Sequence, residues 1–243
     1  MKSVFDIHTH TLSSGHAYNT IMEMAKEASE KGLELLGITE HAPAMPGSCH
    51  RFYFMNLKVL KRFMYGITVL FGTEVNITSY EGDMDLEDAL LEKMDIVIAS
   101  LHVPCLKPGT KEENTRAYLK AMEHPCVNII GHPDDGRYPI DYEALVKGAK
   151  EHHVLLELNN NSLNPQGGRV DTAPNDIEML KLCKKYQVPI VMNSDAHCIY
   201  DIGNQCYSEA ILKEVDFPEE LIVNRSVEEL KSYINYYKSQ NKS

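Results

Sequence analysis

The amino-acid sequence predicts an α/β barrel built from seven βα units, and three observations carry that prediction. Short β-branched runs at residues 3–8, 35–39, 68–73, 96–100, 127–131, 154–158 and 189–193 alternate with helical segments, the rhythm of a parallel sheet with right-handed crossovers. No Pro/Ser-rich linker or composition break divides the 243 residues, so one domain spanning 1–243 is expected. Finally, most strand candidates run directly into a histidine or a carboxylate. A closed or nearly closed barrel gathers such positions around one mouth, whereas an open sheet spreads them over several strand widths.

The elements follow in chain order. The first strand ends in His8-Thr9-His10, after which Thr20-x-x-Glu23 is a capping box opening a helix that Gly32 closes. The second strand ends at Thr39-Glu40-His41, and a helix is expected around residues 56–65. The third ends at Thr73-Glu74 and precedes a loosely helical stretch at 86–93. His102 follows the fourth strand, with Thr110-x-x-Glu113 opening the next helix, and His132 follows the fifth, ahead of a helix around 142–151. The sixth strand carries no metal-type ending, and Asn175-x-x-Glu178 starts the helix after it. The seventh ends at Ser194-Asp195-Ala196-His197. In the tail, 226–243, Ser226-x-x-Glu229 opens a helix with Leu230, Tyr233, Ile234 and Tyr237 on one stripe, which suits docking onto the body or, less directly, an oligomer contact.

With 24 Lys+Arg against 35 Asp+Glu, the formal charge of −11 argues against broad attachment to an anionic membrane or to long nucleic acid. No apolar run reaches the ~18 residues of a membrane span, and the start, MKSVFDIHTHT, lacks the apolar core of a signal peptide. The six cysteines include no C-x-x-C pair, as expected of reduced thiols in a cytoplasmic protein.

From His8 the metal-type residues His41, Glu74, His102 and His132 recur at spacings of 33, 33, 28 and 30 residues. One such residue per βα unit, always at a carboxyl strand end, is where barrel active sites form. Each alone has an ordinary explanation, a helix cap or a salt bridge. Seven histidines and two carboxylates together at one barrel mouth point to metal. Nine candidate ligands exceed the roughly three that a catalytic zinc takes, so two or three ions follow. Imidazole with carboxylate suits Zn²⁺, Mn²⁺ or Fe²⁺. Closely spaced divalent ions activate water and clamp the oxygens of a phosphoryl group, which makes phosphate-ester hydrolysis the natural chemistry.

His8-x-His10, Glu40-His41, Glu74, His102, His132 and Asp195-x-His197 together resemble the PHP (polymerase and histidinol phosphatase) superfamily. The likeness spans residues 2 to about 200 and is nearest to the small stand-alone phosphatases of the YcdX type, with which the stretch Gly72-Thr73-Glu74-Val75-Asn76-Ile77 is shared. The resemblance implies a distorted seven-stranded (β/α)7 barrel holding three divalent ions, usually zinc or manganese. By position, His8, His10, Glu74 and Asp195 would hold the first, Glu74 with His102 and His132 the second, and His16, His41 and His197 the third. It implies phosphoester hydrolysis by direct attack of a metal-activated hydroxide at this trinuclear centre. Glu74 and Asp195 would be the catalytic carboxylates, with Asp195 an ionised ligand rather than a proton shuttle.

A phosphate substrate wants arginine, and Arg51, Arg137 and Arg169 are the candidates, with Arg169 favoured because its Gly167-Gly168-Arg169 loop follows the strand that lacks a metal ligand. His50 lies in the loop after His41, while His124, His152 and His153 precede strands and belong to the opposite end. The expected substrate is a small phosphate monoester. Histidinol phosphate, a nucleotide or 3′-end ester, a metal-dependent amide or ring hydrolysis, and a metal-binding module without turnover are the alternatives.

Overall fold

The structure, a computed structural model, describes residues 2–240. Seven parallel strands form the wall: β1 Phe5–Asp6, β2 Leu35–His41, β4 Ile67–Asn76, β5 Val97–Ser100, β6 Ile129–Ile130, β7 Leu155–Asn159 and β8 Ile190–Asn193, in that spatial order. A short β3, Phe63–Met64, pairs antiparallel with β4 outside this path. Helices α1 Ile21–Glu30, α4 Lys111–Met122, α5 Tyr142–His152, α6 Thr172–Tyr186 and α7 Cys206–Glu214 lie between and after the strands. No helix among the described residues is long and apolar enough to cross a membrane.

Alternation along the strands sorts side chains into two apolar layers. Leu36, Ile38, Val69, Phe71, Val97, Leu156 and Met192 face the helices in the larger one. Leu35, Leu70, Ile96, Ile98, Ile129, Leu155 and Val191 face inward and fill the barrel. On the inward face polarity changes upward within a single strand: Leu70, Gly72, Glu74 on β4 and Leu155, Glu157, Asn159 on β7. Gly72 is needed at this constriction, because a Cβ there would sit 2.2 Å from the Ile96 carbonyl oxygen.

The barrel closes imperfectly. Just beyond the ends of β1 and β8 one isolated parallel bridge joins Thr9 to Ala196, with the His10 N–H donating to the Ala196 carbonyl at 2.9 Å. Elsewhere side chains replace the ladder. Asn193 Oδ1 accepts from the Ile7 N–H, and the Asp6 carboxylate accepts from Ser194 N–H and Oγ. Asn224 bonds both Met192 backbone groups, at 2.7 Å each, and its carbonyl accepts from the Val4 N–H.

Both capping boxes form, at Thr20/Glu23 and Thr110/Glu113, and α5 spans Tyr142–His152. The helix expected around 56–65 does not. α2, Arg51–Asn56, ends before it, one 3₁₀ turn follows, and the chain then extends as β3 because Tyr65 and Gly66 make a left-handed turn (φ 51° and 84°) back into β4. The stretch at 86–93 yields one helical turn, α3 Asp88–Leu91. α6 starts before Asn175, after Asp171. The tail forms two short helices, α8 Val227–Leu230 and α9 Asn235–Gln240, and residues 241–243 lie outside the described part. Leu230 and Ile234 with Val223 join the inward layer and plug the barrel's lower end. His153 stacks on Tyr233 there at 4.1 Å, away from the mouth.

Asn224→Ala would strip the buried Met192 N–H and C=O of their partners, so we expect a loss of about 2–4 kcal/mol in urea unfolding. A loss below about 0.5 kcal/mol would mean that water or a neighbour replaces the clamp.

Candidate metal centre

Because every strand points its carboxyl end to the same mouth, residues distant in sequence converge there. Glu74 is fully buried at the centre. Its Oε1 lies 2.8 Å from His132 Nε2 and 3.3 Å from His102 Nε2. Its Oε2 lies 2.6 Å from His41 Nδ1, 3.4 Å from His8 Nε2 and 3.5 Å from His10 Nε2. Asp195 approaches from β8, its Oδ1 being 3.3 Å from His10 Nε2, 3.6 Å from His8 Nε2 and 3.5 Å from His197 Nδ1. His16 stacks on His41 and His197, with ring centroids 4.9 and 4.8 Å apart. All nine sequence-predicted ligands thus meet at one place.

Local backbone features aim these groups. Asp195 and His132, each just beyond a strand, have positive φ (53° and 29°), a conformation Asp tolerates but which needs support at histidine. Ser194 braces the first turn on Asp6, and the Glu157 carboxylate accepts the His132 N–H at 2.8 Å. Gly131 allows close approach beside His132, since a Cβ there would meet Ser100 Oγ at 2.2 Å.

Glu157 is the functional side chain that sequence reasoning missed. It is fully buried on β7 and accepts from His8 Nδ1 at 2.7 Å, which fixes the His8 proton on Nδ1 and turns Nε2 toward Glu74 and Asp195. Asn159 and Asn193 donate to the same carboxylate. The available signal was a lone charge inside the apolar run Val154-Leu155-Leu156-Glu157-Leu158.

The donor set passes a chemical test for metal. His8 Nε2, His10 Nε2 and His102 Nε2 are buried and without a hydrogen-bond partner. Orphaned buried nitrogens are costly unless a cation takes their lone pairs. Three sets, His10/His41/His197, His8/His10/Glu74 and His41/Glu74/His102, each place ligand atoms within 4.8 Å of one another. Burial, helped by the neighbouring imidazoles of His41 and His197, pushes His10 well below the usual histidine range, and burial pushes His102 down to about 4, so both rings are neutral. Burial would raise Glu74 and Asp195, but the surrounding imidazoles hold both well below the usual carboxylate range, with Arg169 helping at Asp195. His8 differs: against burial, Glu157, Glu74 and Asp195 raise it well above the usual value.

A cavity of about 330 Å³ opens above the centre, lined by His16, His41, Met45, His102 and Arg137, and by the Asn161 and Gly167–Arg169 stretch of the loop after β7. Arg169 bridges Ser162 Oγ at 3.0 Å and Asp195 Oδ2 at 3.3 Å. Arg137 lines the wall, forked onto Asp135 at 2.9 Å. Arg51 pairs with Glu87 on the exposed surface and does not line this cavity. His50 caps α2 through its Nδ1.

A seven-stranded parallel barrel with imidazoles and carboxylates converging at its mouth defines a metal-binding α/β protein. The PHP domain model matches residues 6–161, and the chain belongs to that family. Curated relatives include a probable phosphatase of Clostridium novyi, 50% identical over 96% of this chain and 95% of its own length. Another is a probable phosphatase of Caldicellulosiruptor saccharolyticus, 47% identical over 96% of each. Among solved structures, the histidinol phosphate phosphatase of Lactococcus lactis, complexed with zinc, L-histidinol and phosphate, shares the fold with a TM-score of 0.61. It is 20% identical and covers 90% of this chain and 95% of that one.

His8 without metal holds a proton that stabilises the fold below about pH 6.5, and this contribution fades as pH rises through its raised folded value. Metal needs the bare ring, so binding expels that proton and apparent affinity weakens as pH falls. Calorimetry in buffers of different ionisation enthalpy should show proton release at pH 7, with Glu157→Gln releasing less.

Proposed function

We propose that this chain is a metal-dependent phosphoesterase that hydrolyses a small phosphate monoester at a trinuclear centre. The observation that carries the reading is the cavity itself, with unpartnered histidine nitrogens at its floor and the Arg169 guanidinium in its wall. Family membership and the phosphatase names of the relatives support it, as does the zinc in the distant structural neighbour.

In this reading His8, His10, Glu74 and Asp195 hold one ion, Glu74, His102 and His132 a second, and His16, His41 and His197 a third. Bound zinc, manganese or iron would supply a nucleophile at neutral pH and neutralise charge on the phosphoryl oxygens. The protein's own groups do the rest. Glu74 and Asp195, held ionised, would offset the charge of the bound cations. Arg169, itself 17% exposed and anchored by Ser162, keeps guanidinium donors at the cavity wall for a phosphate oxygen. Arg137 is a further contact for the rest of the substrate. The loop carrying Asn161 and Gly167–Arg169 shapes the room for the leaving group.

The test is phosphate release from a panel of phosphomonoesters, diesters and nucleotides with Mn²⁺- or Zn²⁺-loaded protein. Activity should vanish on chelation and in Asp195→Asn, and chelation should lower Tm. Arg169→Ala should reduce kcat/KM on the best monoester by at least about tenfold, as expected for a lost charge-assisted contact. An effect within twofold would remove Arg169 from the phosphate site. Protein shown to hold its ions that releases no phosphate from any ester would refute the phosphoesterase reading.

A further inference from the structure

At two histidines of the centre, His10 and His102, Nδ1 meets the neutral side chain of Ser14 or Asn76. Ser14 Oγ lies 3.0 Å from His10 Nδ1, 3.0 Å from the His41 N–H and 2.6 Å from Glu40 Oε2. Glu40 is fully buried on the face of β2 opposite His41. Its two oxygens also receive the Thr11 N–H at 3.0 Å, the Thr11 hydroxyl, and the Tyr53 hydroxyl at 3.2 Å. With four donors aimed at it, the carboxylate accepts throughout, so the single Ser14 proton goes to Glu40. The hydroxyl oxygen can then only accept from the His10 ring. The His10 proton must lie on Nδ1, leaving Nε2 as a bare lone pair.

The same count holds across the mouth. Asn76 Oδ1 lies 2.8 Å from His102 Nδ1. The two amide protons of Asn76 go to Asp85 Oδ2 at 2.6 Å and the Ala42 carbonyl at 3.2 Å. Flipping the amide would set its oxygen against two acceptors, so Asp85 dictates its orientation. Asp85 is itself fixed by the Asn76 and Ala44 N–H groups at 2.8 and 2.7 Å. The His102 proton is therefore on Nδ1, with Nε2 bare and 3.3 Å from Glu74 Oε1.

We propose that Glu40 and Asp85 are positioning residues for the metal centre: acting through Ser14 and Asn76, they fix the protons of His10 and His102 on Nδ1 and so present both Nε2 lone pairs to metal. This rests on the metal reading above. Neither carboxylate touches an ion or substrate. In Glu40→Leu the Ser14 hydroxyl loses its acceptor, which frees the Ser14 proton for His10 Nδ1 and moves the ring proton to the metal-facing nitrogen. In Asp85→Asn no orientation of the new amide satisfies all three donors.

The experiment is chelator competition for Zn²⁺ on the full chain, with Co²⁺ absorption spectra to read the ligand field and the Tm of the metal-free forms beside it. Glu40→Leu and Asp85→Asn should each weaken the affected ion about 10–100-fold, the range for lost outer hydrogen bonds to metal ligands. The Co²⁺ bands should shift with them. A merely structural role would lower the metal-free Tm and leave affinity and spectrum unchanged, which would overturn the proposal. Ser14→Ala probes the first relay should Glu40→Leu not fold. Wild-type protein that binds no divalent ion would overturn the metal reading and the relay together, whereas wild-type binding with unchanged variants overturns the relay alone.

Discussion

Five histidine nitrogens lie 2.6–3.5 Å from the carboxylate of Glu74, which has no exposure to solvent. Burying a carboxylate costs several kcal/mol unless opposite charge and hydrogen bonds compensate, so this side chain constrains what surrounds it. Its neighbours must be cationic or share a cation with it. His8 meets the first condition through Glu157, while His10 and His102 are neutral and meet only the second. The site is therefore built for metal by the same groups that would make a metal-free barrel mouth costly.

The barrel separates its two tasks along its axis. At the lower end Leu35, Leu70, Ile129, Leu155 and Val191 pack against the plug of Val223, Leu230 and Ile234. That apolar end supplies burial energy and excludes water. Two or four residues further along the same strands, the inward positions turn into Glu74, Glu157, Asn159 and Asn193. The imperfect β1–β8 seam lies beside the same polar tier. There side chains of Asp6 and Asn193 replace ladder bonds and set the turn that carries Asp195.

One side of the mouth carries charged groups from a single βα unit. The strand without a sequence-visible ligand, β7, contributes Glu157 below and the Arg169 loop above. Arg169 contacts Asp195 and Ser162, so a group that would meet phosphate is also tied to a carboxylate of the metal set.

The sequence by itself determined the seven strands, the capped helices and the nine metal-type residues, because period-two burial, capping boxes and recurring strand-end histidines are local patterns. It misread residues 56–65, where an apolar stretch fits a helix equally well and only pairing with β4 makes β3 a strand. Glu157, Glu40 and Asp85 could not be assigned from sequence. A buried carboxylate acquires its role from the group that it faces, and Glu157 and His8 stand 149 residues apart. Among the arginines, Arg51 and Arg169 are chemically identical in sequence. Only the tertiary structure sends one to Glu87 on the surface and the other to Asp195, since a flexible charged side chain goes to the nearest carboxylate that its backbone position permits.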